Sequence, residues 1–304
     1  MGKKMKVLVT GAKGFLGSRL IQKMIEKKYL VVAISRSEIP NYLKDEKNIS
    51  WVKFDLSDKT ISFKDTINVD SIIHLAGRTL GAKISESEFI ESNESTLCNL
   101  LSSNSINSKK IIFSSSQVVY GGLDSISIKE TDNSGEIDSA YAASKVNAEN
   151  WLRWYQKKLE IPAIALRFSG FIEGGGLIDY IINQSMSNND IDLYSNGEVC
   201  RDYLPVTEGI HSIISTIEKP FSIGFHAINI GSGEVKTTKT LAEIIKKKIG
   251  SSSKIVLSNK QSDRANCILN ISKANQHLNF KPKNLVKNIE NYAQSILDAY
   301  ENKI

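Results

Sequence analysis

Tyr141 and Lys145 stand four residues apart in Tyr141-Ala142-Ala143-Ser144-Lys145. On a helix that spacing puts both on one face. The pairing has a chemical use. A phenol titrates near about 10, too high for ready proton exchange at neutral pH, and a nearby ammonium stabilises the phenolate and lowers that value. A serine hydroxyl beside them can bind the same substrate oxygen. A second constellation lies near the start of the chain, where the apolar run Val7-Leu8-Val9 leads into Thr10-Gly11-Ala12-Lys13-Gly14-Phe15-Leu16-Gly17. A strand apolar on both faces belongs in a parallel sheet covered by helices. Gly11 suits a tight turn, Gly14 leaves a pyrophosphate free to approach the backbone, and Gly17 lets a helix sit close on the strand. That helix, read from Ser18 to about Lys28, points its N-terminal amides at the phosphate.

Positioning these groups takes several more elements. Leu30-Val31-Val32-Ala33-Ile34 reads as a second strand ending at Ser35-Arg36-Ser37. In a dinucleotide fold, an acid about 20 residues beyond the glycine turn binds the adenine ribose. Here Ser35 takes that place and Arg36 follows it. An acid would repel the extra phosphate of NADP, whereas hydroxyls and a guanidinium bind it, so NADP is favoured and NAD is the alternative. Ser50 to Phe54 forms a third strand. Asp55-Leu56 lies just past its end, with Asp55 placed to accept from an adenine amino group or to cap the next segment. Ser71-Ile72-Ile73-His74-Leu75-Ala76-Gly77 is a fourth strand whose small terminal residues leave room for a cofactor. His74 lies within its apolar run and reads as a core histidine. A helix from about Ser85 to Ser103 carries Asn93, Leu97, Leu100 and Leu101 at helical spacings. Lys110 to Phe113 is a fifth strand, running into Ser114-Ser115-Ser116-Gln117, where open α/β sheets bind ligands. The polar stretch from Gly122 to Ser139 reads as a substrate-side loop. Tyr141 then opens a long helix to about Leu159.

Composition narrows the class. The chain of 304 residues suffices for one large domain, or one plus a smaller lobe. Its net charge of +6 comes from scattered lysines such as Lys27-Lys28, Lys109-Lys110 and Lys246-Lys247-Lys248. These are expected on helix ends and solvated faces, which argues against a nucleic-acid partner. Cys98, Cys200 and Cys267 are far apart and in no metal-binding spacing, which suggests a reducing compartment and no metal. With no signal peptide and no long apolar run, a cytoplasmic location without membrane insertion is expected.

Taken together, these motifs resemble the extended short-chain dehydrogenase/reductase family, in its nucleotide-sugar branch of epimerases, dehydratases and reductases. The matching pieces are the glycine turn, Asp55-Leu56, His74-Leu75-Ala76-Gly77, Asn93-Glu94-Ser95-Thr96, Ser114 to Gly121 and Tyr141 to Lys145. The resemblance implies Ser116, Tyr141 and Lys145 as catalytic residues. It implies cofactor contacts from Gly11, Gly14, Phe15, Leu16, Gly17, Ser35, Arg36, Asp55, Leu56, Leu75, Ala76, Gly77 and Asn93, together with Tyr141 and Lys145. Substrate contacts are implied for Ser116, Gln117, Arg201 and Arg264. Arg201 lies in an Arg201-Asp202-Tyr203 segment like the family's diphosphate-binding one, and its alternative is a surface ion pair with Asp202. The surrounding Arg264-Ala265-Asn266 lacks the Gly-Asp usual in the family. Gln117 and Val118 replace the acid-base pair of family dehydratases, which argues against dehydration. Val118 also replaces the cysteine of double epimerase-reductases, and Gly170 replaces an asparagine used on the sugar nucleotide.

The expected fold class is α/β: a Rossmann-type doubly wound parallel sheet with a smaller C-terminal α/β substrate lobe. The dinucleotide-binding domain covers residues 1–168, with returns from the C-terminal portion. The lobe covers 169–304, mainly 169–280, with a covering helix from about Leu285 to Tyr300 and the site in the cleft between the two. The implied function is NADPH-dependent reduction of a 4-keto-6-deoxy nucleotide-diphosphate sugar by a homodimer. The alternatives are a C4 epimerase with tightly held NAD and a non-catalytic NADP-binding regulator.

Overall fold

The computed structural model describes residues 4–58, 62–79, 84–262 and 265–301. Val7, Leu8 and Val9 are wholly buried in β1 (Lys6–Thr10), as a strand covered on both faces must be. Six more strands share its sheet: β2 (Leu30–Ser35), β3 (Ile49–Lys53), β4 (Ser71–His74), β5 (Ile111–Ser116), β6 (Pro162–Phe168) and β7 (Gly224–Ile230). Their spatial order is β7-β6-β5-β4-β1-β2-β3. β1 runs parallel to both neighbours, with Val7 opposite Val31 of β2 and Ser71 of β4. The pairs β2–β3 and β4–β5 are parallel too. Strand order reverses between β1 and β4, and doubly wound sheets bind ligands at such a reversal. This is the expected Rossmann-type sheet.

The chain forms two compact units. One comprises Met1–Val119, Ile137–Arg167 and Ile213–Ile228; the other comprises Tyr120–Glu136, Phe168–Ser212 and Asn229–Ile304. In the first, Leu8, Ile72, Ile111 and Phe113 of the sheet pack with apolar side chains of the flanking helices. Those helices include α1 (Phe15–Glu26) and α2 (Glu86–Ile90), which passes through a π turn (Glu91–Ser95) into α3 (Thr96–Leu101), and α4 (Ala140–Leu159). In the second unit, α5 (Leu177–Met186), α7 (Thr238–Ile249) and α9 (Leu285–Glu301) enclose a core of Ile178, Ile182, Leu241, Ile245 and Ile289. α6 (Val206–Glu218) and α8 (Ser272–Leu278) complete the helices described. Among the described residues, no helix is long and apolar enough to cross a membrane.

Several expected elements differ. The first helix begins at Phe15, three residues before Ser18, because the glycine turn closes at once through Gly14 N donating to Gly11 O at 2.8 Å. The expected single helix over Ser85–Ser103 is instead α2, the π turn and α3. Positions 89, 93 and 97 drift around an α-helix at steps of four. The wider π turn brings Phe89, Asn93 and Leu97 inward together, all at most 9% exposed. The stretch Gly122–Ser139 holds a short strand, Ser125–Ile128, beside Cys267–Leu269. Lys110 is not on a solvated face. It is buried, and its ammonium donates to the carbonyls of Thr216, Ile217 and Lys219 at 2.9, 3.1 and 2.5 Å. The final carbonyls of a helix have no partner within it, and three lysine protons satisfy those that end α6.

Gly17 makes the closest approach in this frame. A Cβ there would lie 2.2 Å from the Gly11 carbonyl oxygen, which is backbone and cannot swing aside. Alanine gains about 1 kcal/mol in helix propensity over glycine. Overpacking a tight site costs about 1–3 kcal/mol. The clash should win, so Gly17→Ala is expected to lower unfolding free energy in urea titrations followed by circular dichroism. An unchanged or raised midpoint would contradict the close packing.

Candidate active site

The glycine turn works through backbone geometry. Gly11 has φ +63°, and a Cβ there would sit 2.8 Å from the Leu75 and Ala76 backbone. Only glycine takes that conformation at that distance without strain. α1 starts at Gly14 with no side-chain cap and no acidic residue in its first turn. Gly14 has no side chain to occupy the helix start as a cap would, which leaves a site suited to an anion. A cleft of about 610 Å³ opens here, lined by Gly11, Gly14, Ser35, Arg36, Asp55, Leu56, Leu75, Ala76 and Gly77. The structure thus gathers nine of the expected cofactor residues into one cleft. Leu16 and Gly17 are buried within α1, and Phe15 is 40% exposed with Arg19 stacked 4.3 Å from its ring centre. Glycines in place of side chains, an uncapped helix N-terminus and a cleft of this size fit a dinucleotide.

Two residues at this junction have weak signals in the sequence. The Thr10 hydroxyl accepts from Leu75 N and Ala76 N, both at 3.1 Å, and lies 2.9 Å from His74 Nδ1. Its two acceptor positions are filled, so its proton goes to Nδ1 and the histidine carries hydrogen on Nε2. His74 is a fully buried core residue, and burial, aided by the Lys145 charge, lowers its pKa to about 3. Lys13 is the other. It lines the cleft with Arg36, adding a second cation. Its position between the turn glycines was the available clue. Asp55 caps no helix: its Oδ1 accepts from Ser57 N and Oγ at 3.0 and 2.9 Å, forming a turn. Burial pushes the Asp55 carboxyl up, but the Ser57 bonds and the Arg36 charge outweigh it and leave the pKa below its ordinary value.

Tyr141, Lys145 and Ser116 form a second group, supplied by α4 and the end of β5. Ser139 caps α4 by accepting from Ala142 N at 3.2 Å, which sets Tyr141 in the first turn. Tyr141 is hydrogen-bonded to Ser116. Lys145 Nζ donates to Ser114 O at 3.0 Å and lies 5.9 Å from the Tyr141 ring centre. The two functional side chains are 8% and 6% exposed. This burial corrects one expectation. It pushes the Tyr141 phenol above its ordinary value, only partly offset by the Ser116 bond. Burial also lowers Lys145 to about 8, with Glu149 opposing. The ammonium hydrogen-bonds a carbonyl, and desolvation decides the direction for the phenol.

Asn93 joins the two groups. Its Oδ1 accepts from Arg78 N at 2.8 Å, and its Nδ2 donates to Ser144 Oγ at 2.9 Å. Ser144 in turn donates to Tyr141 O at 2.8 Å. Asn93 is 1% exposed and holds the Arg78 backbone just past Gly77. Gln117 opens a single 3₁₀ turn, Gln117–Tyr120, just past Ser116. In the second unit, Arg201 Nη1 donates to Ala265 O at 3.0 Å. Asp202 makes no surface ion pair. It is 1% exposed and accepts from Ser232 N and Oγ, Leu269 N and Gly233 N. Arg264 lies outside the described residues.

A family model described as the NAD dependent epimerase/dehydratase family matches residues 7–231. The chain is 29% identical over 295 residues to dTDP-4-dehydro-6-deoxyglucose reductase of Escherichia coli, covering 91% of this chain and 92% of that one. It is 27% identical over 259 residues to a putative UDP-glucose 4-epimerase of Methanocaldococcus jannaschii, covering 80% and 82%. The crystal structure of UDP-glucuronic acid 4-epimerase from Bacillus cereus in complex with NAD superposes with a TM-score of 0.80 at 24% identity, covering 98% of each chain. That likeness establishes the fold.

His74 gives the site a measurable acid limit. The unfolded histidine binds a proton as pH falls through about 6.5, whereas the folded one stays neutral until about 3. This group therefore costs nothing above that upper value and destabilises the fold progressively below it. Between pH 7 and 5, His74→Gln should lose less stability than the parent, by up to about 2 kcal/mol. Urea unfolding at the two pH values measures it, and equal losses would refute the buried neutral ring.

Proposed function

The chain belongs to the NAD-dependent epimerase/dehydratase family, and on that footing we propose that it is an NADPH-dependent reductase of a 4-keto-6-deoxy nucleotide-diphosphate sugar. It is an NAD(P)-dependent enzyme. One observation carries the finer reading: Ser35 stands where an acid would select NAD, and Arg36 and Lys13 line the same cleft. Two cations and a hydroxyl suit a ribose phosphate. The similarity to the E. coli reductase supports the reaction class.

When bound, the cofactor supplies the hydride. The α1 N-terminus and the glycine turn hold its pyrophosphate, and Lys145 holds its nicotinamide ribose. The Tyr141 phenol passes a proton from Oη to the substrate carbonyl oxygen as negative charge develops there, and Ser116 Oγ hydrogen-bonds that oxygen. Burial keeps Tyr141 in its phenol form at neutral pH, the form a proton donor needs. Arg201 neutralises the substrate diphosphate, and Gln117 borders the sugar. Gln117 and Val118 next to Ser116 stand where family dehydratases have their acid-base pair, which argues against dehydration.

The similarity to a putative 4-epimerase favours a second reading, in which the same three residues serve a C4 epimerase holding NAD. Denaturing the purified protein, identifying any dinucleotide released, and titrating the remainder with NADPH and NADH separates the two. The reductase predicts an empty protein binding NADPH at least about tenfold more tightly, a difference of about 1.4 kcal/mol. Stoichiometric release of NAD would instead establish the epimerase. With dTDP-4-dehydro-6-deoxyglucose as the probe substrate, Tyr141→Phe should lower kcat by about a hundredfold or more and leave NADPH affinity nearly unchanged. More than about a tenth of the parent rate would remove Tyr141 from the role of proton donor.

A further inference from the structure

One helical turn beyond Lys145 lies a buried carboxylate to which the proposed reaction gives no task. Glu149 is 2% exposed. Its Oε1 accepts from Ser115 Oγ at 2.6 Å and from Arg167 Nε at 3.0 Å. Its Oε2 accepts from Arg167 Nη2 at 2.8 Å, with Arg153 Nη2 3.7 Å away. Arg167 comes from β6 and is itself 7% exposed, so the paired contact is desolvated on both sides. Ser115 lies between Ser114, whose carbonyl holds Lys145, and Ser116, which bonds Tyr141. One side chain thus ties α4 to the end of β5 behind the reacting groups.

Charge makes the arrangement more than a brace. Lys145 and Arg167 are buried cations, and Arg153 is a third, partly exposed one; Glu149 is the anion among them. His74, Phe113 and Tyr141 beside Lys145 bring no negative charge. His74 of β4 is neutral, Phe113 of β5 offers a ring face 4.9 Å from Nζ, and Tyr141 on the same helix is a phenol. Glu94 of the π turn is engaged with Asn147 and Trp151, on the next part of α4. Burial strips water from an ammonium and favours its neutral form unless a nearby anion opposes this.

We propose that Glu149 is a positioning residue that holds Lys145 in its charged form while tying the Ser114–Ser116 strand end to α4. The proposal rests on the role given to Lys145 above, but its test needs neither cofactor nor substrate. The protein is labelled with ¹³C at lysine Cε, the Lys145 resonance is assigned by its loss in Lys145→Met, and its titration is followed by NMR. The parent midpoint is expected near about 8. In Glu149→Gln the proton affinity of Lys145 should fall by about tenfold or more, while Ser115→Ala, which keeps the charge, should leave it in place. Because the single change strands Arg167 without its partner and can unfold the protein, Glu149→Gln/Arg167→Gln is also measured against Arg167→Gln, so that both lack that cation, and the Lys145 proton affinity should be the lower in the double variant by about tenfold. An unchanged midpoint in folded Glu149→Gln, equal midpoints in Glu149→Gln/Arg167→Gln and Arg167→Gln, or an equal fall in Ser115→Ala, overturns the proposal. Either result stands apart from the NADPH titration, which tests the reductase reading by itself.

Discussion

Backbone against backbone is the constraint from which the first unit is built. At the end of β1, the Gly11 carbonyl faces Gly17 of α1, and Gly11 itself lies against Leu75 and Ala76 beyond β4. No side chain fits in either gap. Thr10 closes the junction with a single hydroxyl that accepts two N–H groups and donates to a histidine, fixing how far the fourth strand's end stands from the first. The cleft, the uncapped start of α1 and the neutral state of His74 all follow from that contact.

The two buried carboxylates are stabilised in different ways. Glu149 sits among cations and adjusts the charge of a neighbour. Among the described residues Asp202 accepts from N–H and O–H donors, and burial raises its pKa against the pull of those bonds. It organises backbone: Ser232, Gly233 and Leu269 converge on it, and a Cβ on Gly231 would strike its Oδ2. A buried anion among dipoles fixes a loop's path, whereas one among cations also sets their protonation. The first device lies in the second unit and the other behind Tyr141.

Much of the frame could be read from the sequence because it rests on local patterns. Continuous apolar runs marked the strands, and glycine spacing marked the turn between β1 and α1. The order of the motifs matched one topology. What escaped the sequence depends on distant partners. Lys110 looks like any surface lysine until α6 brings its last carbonyls to it. Asp202 reads as half of an ion pair until Ser232 and Leu269 surround it. The direction of the Tyr141 shift required knowing how deeply the phenol is buried, which a spacing of four to a lysine does not reveal. Glu149 follows Lys145 by the same interval, yet Ser115 and Arg167, which give it meaning, come from two other strands.

The π turn at Glu91–Ser95 holds Asn93 against Arg78 and Ser144 while α2 and α3 keep their own inward faces. Such a turn carries one residue more than an α-helix would use over the same rise. Each residue of an α-helix turns the chain by about 100°. Deleting one of these five would let the segment close as a plain α-helix with Phe89 and Leu97 still on one face, seven steps of about 100° apart; what would be lost is the bulge that sets Asn93 against Arg78 and Ser144. Exposed neighbours such as Glu91 can change freely by comparison. Over evolutionary time the extra residue should be kept or lost together with the placement of Asn93, while the exposed positions exchange as in an ordinary surface loop.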